Sequence, residues 1–262
     1  MHFCWILISI FLTSTSSFLL FFVFLSPSTA TDSLDSTYHT TSLIELEGPY
    51  QIAKLITVKV QANQNKGSGI LIQKYGNIYR VLTNAHVLTS GEPFQVQLFD
   101  GVSYTAYELK SVNWQGYDLA ILEFRASKSY SLAVLGNSSK LTMNKSVFAA
   151  GFSSNSKELD FTSGKIMLIT AKKIEGGYQI GYTNSIEQGM SGGPILSENG
   201  EVVGVNGMGA YPILNTAYRF EDGSFPKEAQ LSLMRQFSWG IPINTVTQIG
   251  YKNYFFRKFN SK

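Results

Sequence analysis

The sequence has almost no cysteine: the single residue, Cys4, lies in an apolar N-terminal segment of a chain of 262 residues. If that segment is removed, no cysteine remains. This excludes disulfides, zinc–thiolate sites and a cysteine nucleophile from the rest of the chain. The remaining domain, of about 230 residues, must then be stabilised by its own hydrophobic core, and its length is sufficient for one.

Charge is also scarce. Charged residues make up 15% of the chain, and the formal net charge is only +3. This balance does not indicate a nucleic-acid partner, and we expect none. Aromatic residues are frequent at 13%, which is typical of a well-buried core beneath a polar, weakly charged surface.

A long apolar run occurs at the N-terminus, where residues 5–25 carry no charge. Ser28 and Ala30 provide the small residues that signal peptidase requires, so residues 1–30 are predicted to be a signal peptide. An uncleaved membrane anchor remains open, because the run is long enough to span a bilayer and no Lys or Arg precedes it. We therefore expect an exported protein, periplasmic or extracellular, with membrane contact only if the leader is retained.

The rest of the chain has the pattern of an all-β protein. Residues 31–48 are rich in Ser and Thr and are expected to be a mobile lead-in. After them, short apolar runs alternate with Gly, Asn and Pro, which predicts antiparallel strands. Two groups of about six strands predict two six-stranded antiparallel β-barrels, about 49–125 and about 133–250, joined by a polar linker at Arg125–Leu132. Only Ile243–Lys252 is predicted to be helical.

Three candidate catalytic residues follow in the order His86, Asp118, Ser191. His86 is the only histidine after residue 39. A serine hydroxyl is a weak nucleophile that needs a neighbouring base, and an imidazole base needs a carboxylate to fix its tautomer. Glycines flank Ser191, and they allow the backbone to come close to a developing oxyanion. The N–H groups of Gly189 and Ser191 are predicted to form that oxyanion hole.

Each motif alone has a simpler interpretation: a core histidine, an aspartate that caps a strand, a glycine-rich turn. Their order narrows the choice of hydrolase. The α/β-hydrolase arrangement needs a histidine after the serine, and none follows Ser191. The subtilisin arrangement needs an aspartate before the histidine, but only Asp32 and Asp35 precede His86. The chymotrypsin order of His, Asp and Ser remains.

The chain resembles the trypsin-like serine peptidases of the chymotrypsin clan, in particular the bacterial, disulfide-free branch that includes the high-temperature-requirement proteases. The motifs that carry the resemblance are Gly67–Ile72, Thr83–Val87, Asp118–Leu122, Gly189–Pro194, Gly204–Gly209 and Gly240–Ile243.

This resemblance implies that residues 49–262 form a trypsin-like serine peptidase domain of chymotrypsin type, with two barrels and a short C-terminal helix. His86 and Asp118 would come from the first barrel and Ser191 from the second. The implied activity is hydrolysis of polypeptide substrates through an acyl-enzyme, with no cofactor and no metal. The alternative is a catalytically silent domain of the same fold that binds peptides or protein partners.

Two departures from the family pattern concern substrate binding and loop ordering. Met190 stands where the digestive enzymes have an aspartate. The strand that normally reads Ser-Trp-Gly reads Gly207-Met208-Gly209, and we expect it to pair with the substrate backbone. Ser185, six residues before Ser191, is placed at the floor of the specificity pocket. An uncharged floor predicts medium to large uncharged P1 residues.

Overall fold

The computed structural model describes residues 48–252, apart from 155, 157, 213 and 214. The predicted signal peptide and nearly all of the predicted lead-in therefore lie outside the described residues. Within the described part of the chain, no helix is both long and apolar enough to cross a membrane.

The first barrel is a closed antiparallel sheet in the strand order β1-β2-β3-β6-β5-β4. Side chains alternate between interior and exterior along its strands, as the short apolar runs predicted. Its interior is filled by aliphatic and aromatic residues such as Val60, Leu71 and Phe124. The strands are β1 (Thr57–Ala62), β2 (Asn65–Tyr75), β3 (Ile78–Thr83), β4 (Phe94–Gln97), β5 (Ser103–Glu108) and β6 (Ala120–Arg125).

The second barrel closes in the order β10-β11-β12-β9-β8-β7. Val147, Ile180 and Ile195 lie in its interior. The predicted all-β fold of two six-stranded antiparallel barrels is thereby confirmed. The strands are β7 (Ser146–Gly151), β8 (Asp160–Ile174), β9 (Tyr178–Tyr182), β10 (Pro194–Leu196), β11 (Val202–Met208) and β12 (Ser238–Pro242).

The two barrels share one hydrophobic core. Ile70 and Ile121 of the first barrel belong to the same buried cluster as Val205, Trp239 and Ile241 of the second. All five side chains are fully buried. Because packed interiors resist deformation, this cluster fixes how the facing edges of the two barrels meet.

The prediction of a single helix was incomplete. Residues 48–56 form a helix, α1, and two further helices are α2 (Glu228–Met234) and α3 (Ile243–Lys252). Ala53 and Ile56, three residues apart, place one side of α1 in the core. The sequence hides the end of α1, because no Gly or Pro separates it from β1 and Ile56 alternates with Val58 and Val60 as in a strand. Helix α2 is short and follows a lysine N-cap rather than a preferred capping residue.

The predicted linker Arg125–Leu132 is anchored to the first barrel rather than being a free connection. Tyr130 is buried, and its backbone N–H donates to the Tyr79 hydroxyl over 3.1 Å. The same hydroxyl donates to the Lys128 carbonyl over 3.1 Å. The segment therefore belongs structurally to the first barrel.

Candidate active site

His86 is presented at the surface by a turn of 3₁₀-helix. Strand β3 ends at Thr83, and the turn Ala85–Leu88 follows directly. Val87 and Leu88 point into the first barrel, whereas the His86 side chain is 46% exposed. This exposure differs from the core histidine that is the simpler interpretation of the motif.

Asp118 lies just before β6 and pairs with His86 through both carboxylate oxygens. Its Oδ2 is 2.6 Å from His86 Nδ1, and its Oδ1 accepts the His86 backbone N–H over 2.8 Å. The Asn84 amide donates to the Asp118 carbonyl over 2.7 Å and holds the loop in place. With the carboxylate as acceptor, Nδ1 carries the proton, and Nε2 is left as the basic nitrogen.

The Asp118 carboxyl is only 16% exposed, and its surroundings favour the ionised form. Burial raises the pKa of Asp118, but hydrogen bonds from His86 and the buried Tyr178, together with the His86 charge, outweigh burial and hold this pKa below its usual value. An ionised carboxylate in this position stabilises a protonated imidazole.

Ser191 lies on the loop between β9 and β10, at the edge that faces the first barrel. Its backbone carbonyl accepts the Ser68 N–H over 2.8 Å. Its Oγ donates to the Gly207 carbonyl over 3.2 Å, and among the described residues no hydrogen bond joins it to His86. Gly207 packs against the Tyr178 ring, and the Tyr178 hydroxyl donates to Asp118. These contacts bring all three candidate catalytic residues to one site between the barrels.

The loop before Ser191 presents backbone N–H groups at the same place. The Gln188 carbonyl accepts the Ser154 N–H over 2.7 Å. Because a trans peptide directs its N–H opposite to its C=O, the Gly189 N–H points away from Ser154. Gly189 has a φ of 101°, which favours glycine. Among the described residues, neither the Gly189 N–H nor the Ser191 N–H has a hydrogen-bond partner, as an oxyanion hole requires.

This oxyanion loop (residues 187–191) is held by packing and by hydrogen bonds from the first barrel. Met190 is fully buried against Gly151, where an added Cβ would come within 2.6 Å of the Met190 Cα.

The hydrogen bonds come from Ser68 in β2. Its buried Oγ donates to the Gly189 carbonyl over 2.8 Å and accepts the Phe152 N–H over 2.8 Å. The sequence alone gives no role to Ser68. Its one local sign is that a serine interrupts the apolar residues of β2.

The residues predicted to contact substrate lie on two facing segments. Gly207 and Met208 end β11, and an added Cβ on Gly209 would come within 3.0 Å of the Ile186 carbonyl. The segment that carries Ser185 therefore faces the end of this strand. Ser185 is exposed. Its place at the floor of a specificity pocket stays a prediction.

The amide group of Asn206, next to Gly207, makes its hydrogen bonds within the protein. Its Oδ1 accepts the Tyr182 hydroxyl over 2.8 Å, and its Nδ2 donates to the carbonyls of Ala150 and Pro194. It has no spare amide hydrogen for an acidic substrate side chain. Among the described residues, no cluster of three His, Cys, Asp or Glu side chains could hold a metal ion.

Two closed six-stranded barrels with a His–Asp pair and a glycine-flanked serine between them define a protein of the chymotrypsin fold. A crystal structure of Deg5 has the same fold, with a TM-score of 0.59 and 23% sequence identity; the match covers 79% of this chain and 92% of that one.

Sequence similarity identifies the family. Residues 67–205 match the trypsin-like peptidase domain, and the chain belongs to that family. Similar proteins include serine protease HTRA4 of Mus musculus, 33% identical over 152 residues (54% of this chain, 29% of the relative). Serine protease Do-like HtrA of Bacillus subtilis (strain 168) is 30% identical over 151 residues (54% and 33%). The match spans about a third of each relative's length. The predicted resemblance to the high-temperature-requirement proteases is confirmed.

Proposed function

We propose that this protein is an exported serine endopeptidase that cleaves peptide bonds through an acyl-enzyme. Ser191 is the nucleophile, His86 is the general base and acid, and Asp118 orients and stabilises the imidazole. The observation that carries the proposal is the two-point pairing of Asp118 with His86, beside a serine whose loop offers two N–H groups that have no partner within the described part of the chain.

The reaction begins when the Ser191 hydroxyl turns from the Gly207 carbonyl toward His86 Nε2, a rotation about one side-chain bond. Hydrogen bonds between catalytic groups are often absent without substrate and form in the substrate complex. Ser191 Oγ attacks the scissile carbonyl carbon while its proton passes to Nε2. The N–H groups of Gly189 and Ser191 stabilise the oxyanion. The protonated His86 then donates to the leaving amine, and water hydrolyses the acyl-enzyme by the reverse sequence.

The proposed substrate is an extended polypeptide whose backbone pairs with Gly207–Gly209. A groove of about 430 Å³ between the barrels, beside the oxyanion loop, has room for the residues that follow the scissile bond; Lys66, Gly67 and Ser154 are among its lining residues. With Ser185 as an uncharged pocket floor, the preferred P1 residues are uncharged, because a charged side chain there would have no partner of opposite sign. Export to the periplasm or the extracellular space rests on the N-terminal leader, with membrane contact only if it is retained.

A fluorophosphonate probe tests the catalytic serine directly, since it labels only an activated nucleophile. We expect labelling of the wild type and none of Ser191→Ala. Peptide hydrolysis in that variant should fall by about 10³-fold or more with the fold intact. Ser163→Ala is the matched control, because Ser163 is exposed on β8 in the same barrel. More than a few per cent residual turnover in Ser191→Ala would refute the mechanism.

The second candidate is the catalytically silent domain that binds peptides or protein partners. It is favoured by one observation, the hydrogen bond of Ser191 Oγ to the Gly207 carbonyl instead of His86. A purified wild-type protein that binds an extended peptide but is not labelled by the probe would support this alternative over the peptidase.

A further inference from the structure

Asp118 has a third hydrogen-bond donor besides the two from His86. Tyr178 lies at the start of β9 in the second barrel, and its hydroxyl donates to Oδ2 of Asp118. This is the same oxygen that pairs with His86 Nδ1. The contact joins residues 60 positions apart in sequence and crosses from one barrel to the other.

The space taken by the Tyr178 ring exists because residue 207 is glycine. A Cβ on Gly207 would overlap the ring and the hydroxyl oxygen of Tyr178. The sequence departs from its family here, with glycine at the first position of the usual Ser-Trp-Gly strand. The glycine on β11 thus leaves the room in which the phenol from β9 reaches Asp118.

We infer that Tyr178 is a positioning residue, which holds the Asp118 carboxylate in the plane that lets it orient His86. This inference rests on the proposed function. His86 contacts both oxygens of the carboxylate, and the Tyr178 hydroxyl adds a donor from the second barrel, which restrains the carboxylate against moving together with the His86 loop.

The surroundings of the Tyr178 phenol keep it protonated, so that it can donate to Asp118. Burial raises the pKa of Tyr178 well above its ordinary value, and the Asp118 charge raises it further. The phenol therefore stays protonated in the pH range in which histidine titrates. Asp118 is also tied to the second barrel through its backbone N–H, which donates to the Gly176 carbonyl over 2.9 Å. Tyr182 on the same strand also raises the pKa of Tyr178. Further ionisable groups near this pair include Tyr117, next to Asp118 in sequence, and Lys173, which donates to the Tyr117 hydroxyl and lies 3.7 Å from Glu221.

The competing explanation is that Tyr178 only fills the core, since its ring belongs to the cluster between the barrels. Tyr178→Phe separates the two roles, because it keeps the ring and removes the hydroxyl. Tyr182→Phe is the matched control. Tyr182 is fully buried on the same strand, four residues later, and its hydroxyl donates to Asn206 instead of Asp118.

For Tyr178→Phe we expect kcat, per active site titrated with the fluorophosphonate probe, to fall by about tenfold. Without the phenol, the negative charge on Oδ2 acts on His86 alone and favours its protonated form. The midpoint of the acidic limb of kcat/KM should therefore move to higher pH. Tyr182→Phe should lose stability but keep kcat within about twofold and the midpoint in place. Equal kcat and equal midpoints in the two variants would overturn the inference.

A second measurement does not depend on turnover. In the Ser191→Ala background, the low-field proton resonance of His86 Nδ1–H reports the hydrogen bond to Asp118. We expect Tyr178→Phe to shift or broaden this resonance and Tyr182→Phe to leave it unchanged. An unchanged resonance in both would contradict the positioning role even if the protein is a peptidase. A shift in a protein that never labels would support the positioning role and reject the proposed function alone.

Discussion

Ser68→Ala would test how the oxyanion loop is held. Ser68 is fully buried in β2, and its Oγ is the hydrogen-bonded link between the Gly189 carbonyl and the Phe152 N–H. Alanine removes that oxygen without adding volume. The loop then loses a contact from the first barrel, and the Phe152 N–H loses its acceptor.

The magnitude follows from those two contacts. The buried hydrogen bond to Gly189 and the partly buried one from Phe152 contribute about 1 kcal/mol each, and the Phe152 N–H left without its acceptor adds about 1 kcal/mol, the lower end of the usual penalty because Phe152 is only partly buried. We expect the free energy of unfolding to fall by about 3 kcal/mol in total, which lowers Tm by about 6–12 °C for a domain of this size. Deleting an oxyanion donor costs about 10²–10³-fold in kcat. Here the Gly189 N–H is loosened rather than deleted, so we expect a fall of about 10–100-fold.

The assay compares kcat and Tm with those of Tyr79→Phe. The Tyr79 hydroxyl also donates to one carbonyl and accepts one N–H in the first barrel, but its partners, Lys128 and Tyr130, are not in the site. Tyr79→Phe should therefore lose similar stability with kcat near that of the wild type. If kcat falls no further in Ser68→Ala than in Tyr79→Phe, the loop does not depend on Ser68 and the reasoning is refuted.

Two further predictions concern pH and specificity. The folded-state pKa of Asp118 is lowered, so Asp118 contributes stability that is fully present above the unfolded value of about 4 and is lost as pH falls through the lower folded value. Urea unfolding should show the stability difference between wild type and Asp118→Asn shrinking from about pH 5 toward pH 2; a constant difference would contradict this. In a peptide library varied at P1, Leu, Met, Phe and Tyr should be preferred, and a preference of more than about tenfold for Lys, Arg or Glu over every apolar residue would refute the pocket argument.

The sequence predicted the strands well because their signals are local. Strands β9 (Tyr178–Tyr182) and β10 (Pro194–Leu196), for example, are short apolar runs that directly follow glycines. The candidate catalytic residues could also be selected from the sequence, since their order and their flanking glycines are local features. Helix α1 was missed because it continues into β1 without a turn residue.

The supporting residues could not be predicted for a physical reason. Ser68 contacts Gly189, 121 residues away, and Tyr178 contacts Asp118, 60 residues away. Both side chains occur in runs whose pattern predicts only a strand. Their contacts follow from how two barrels pack on each other, and that packing has no signature within a single strand.

Both barrels hold the candidate active site together, and this arrangement bears on self-digestion. Ser191 is tied to the first barrel through Ser68, and Asp118 is tied to the second through Gly176. A molecule whose barrels separate loses these ties at once, even while each barrel keeps its own strands. If the protein is the proposed peptidase, a molecule in this partly open state would be inactive. Under heat or denaturant, opened molecules would then be substrates but not enzymes, and autolysis would require one intact and one opened molecule to meet.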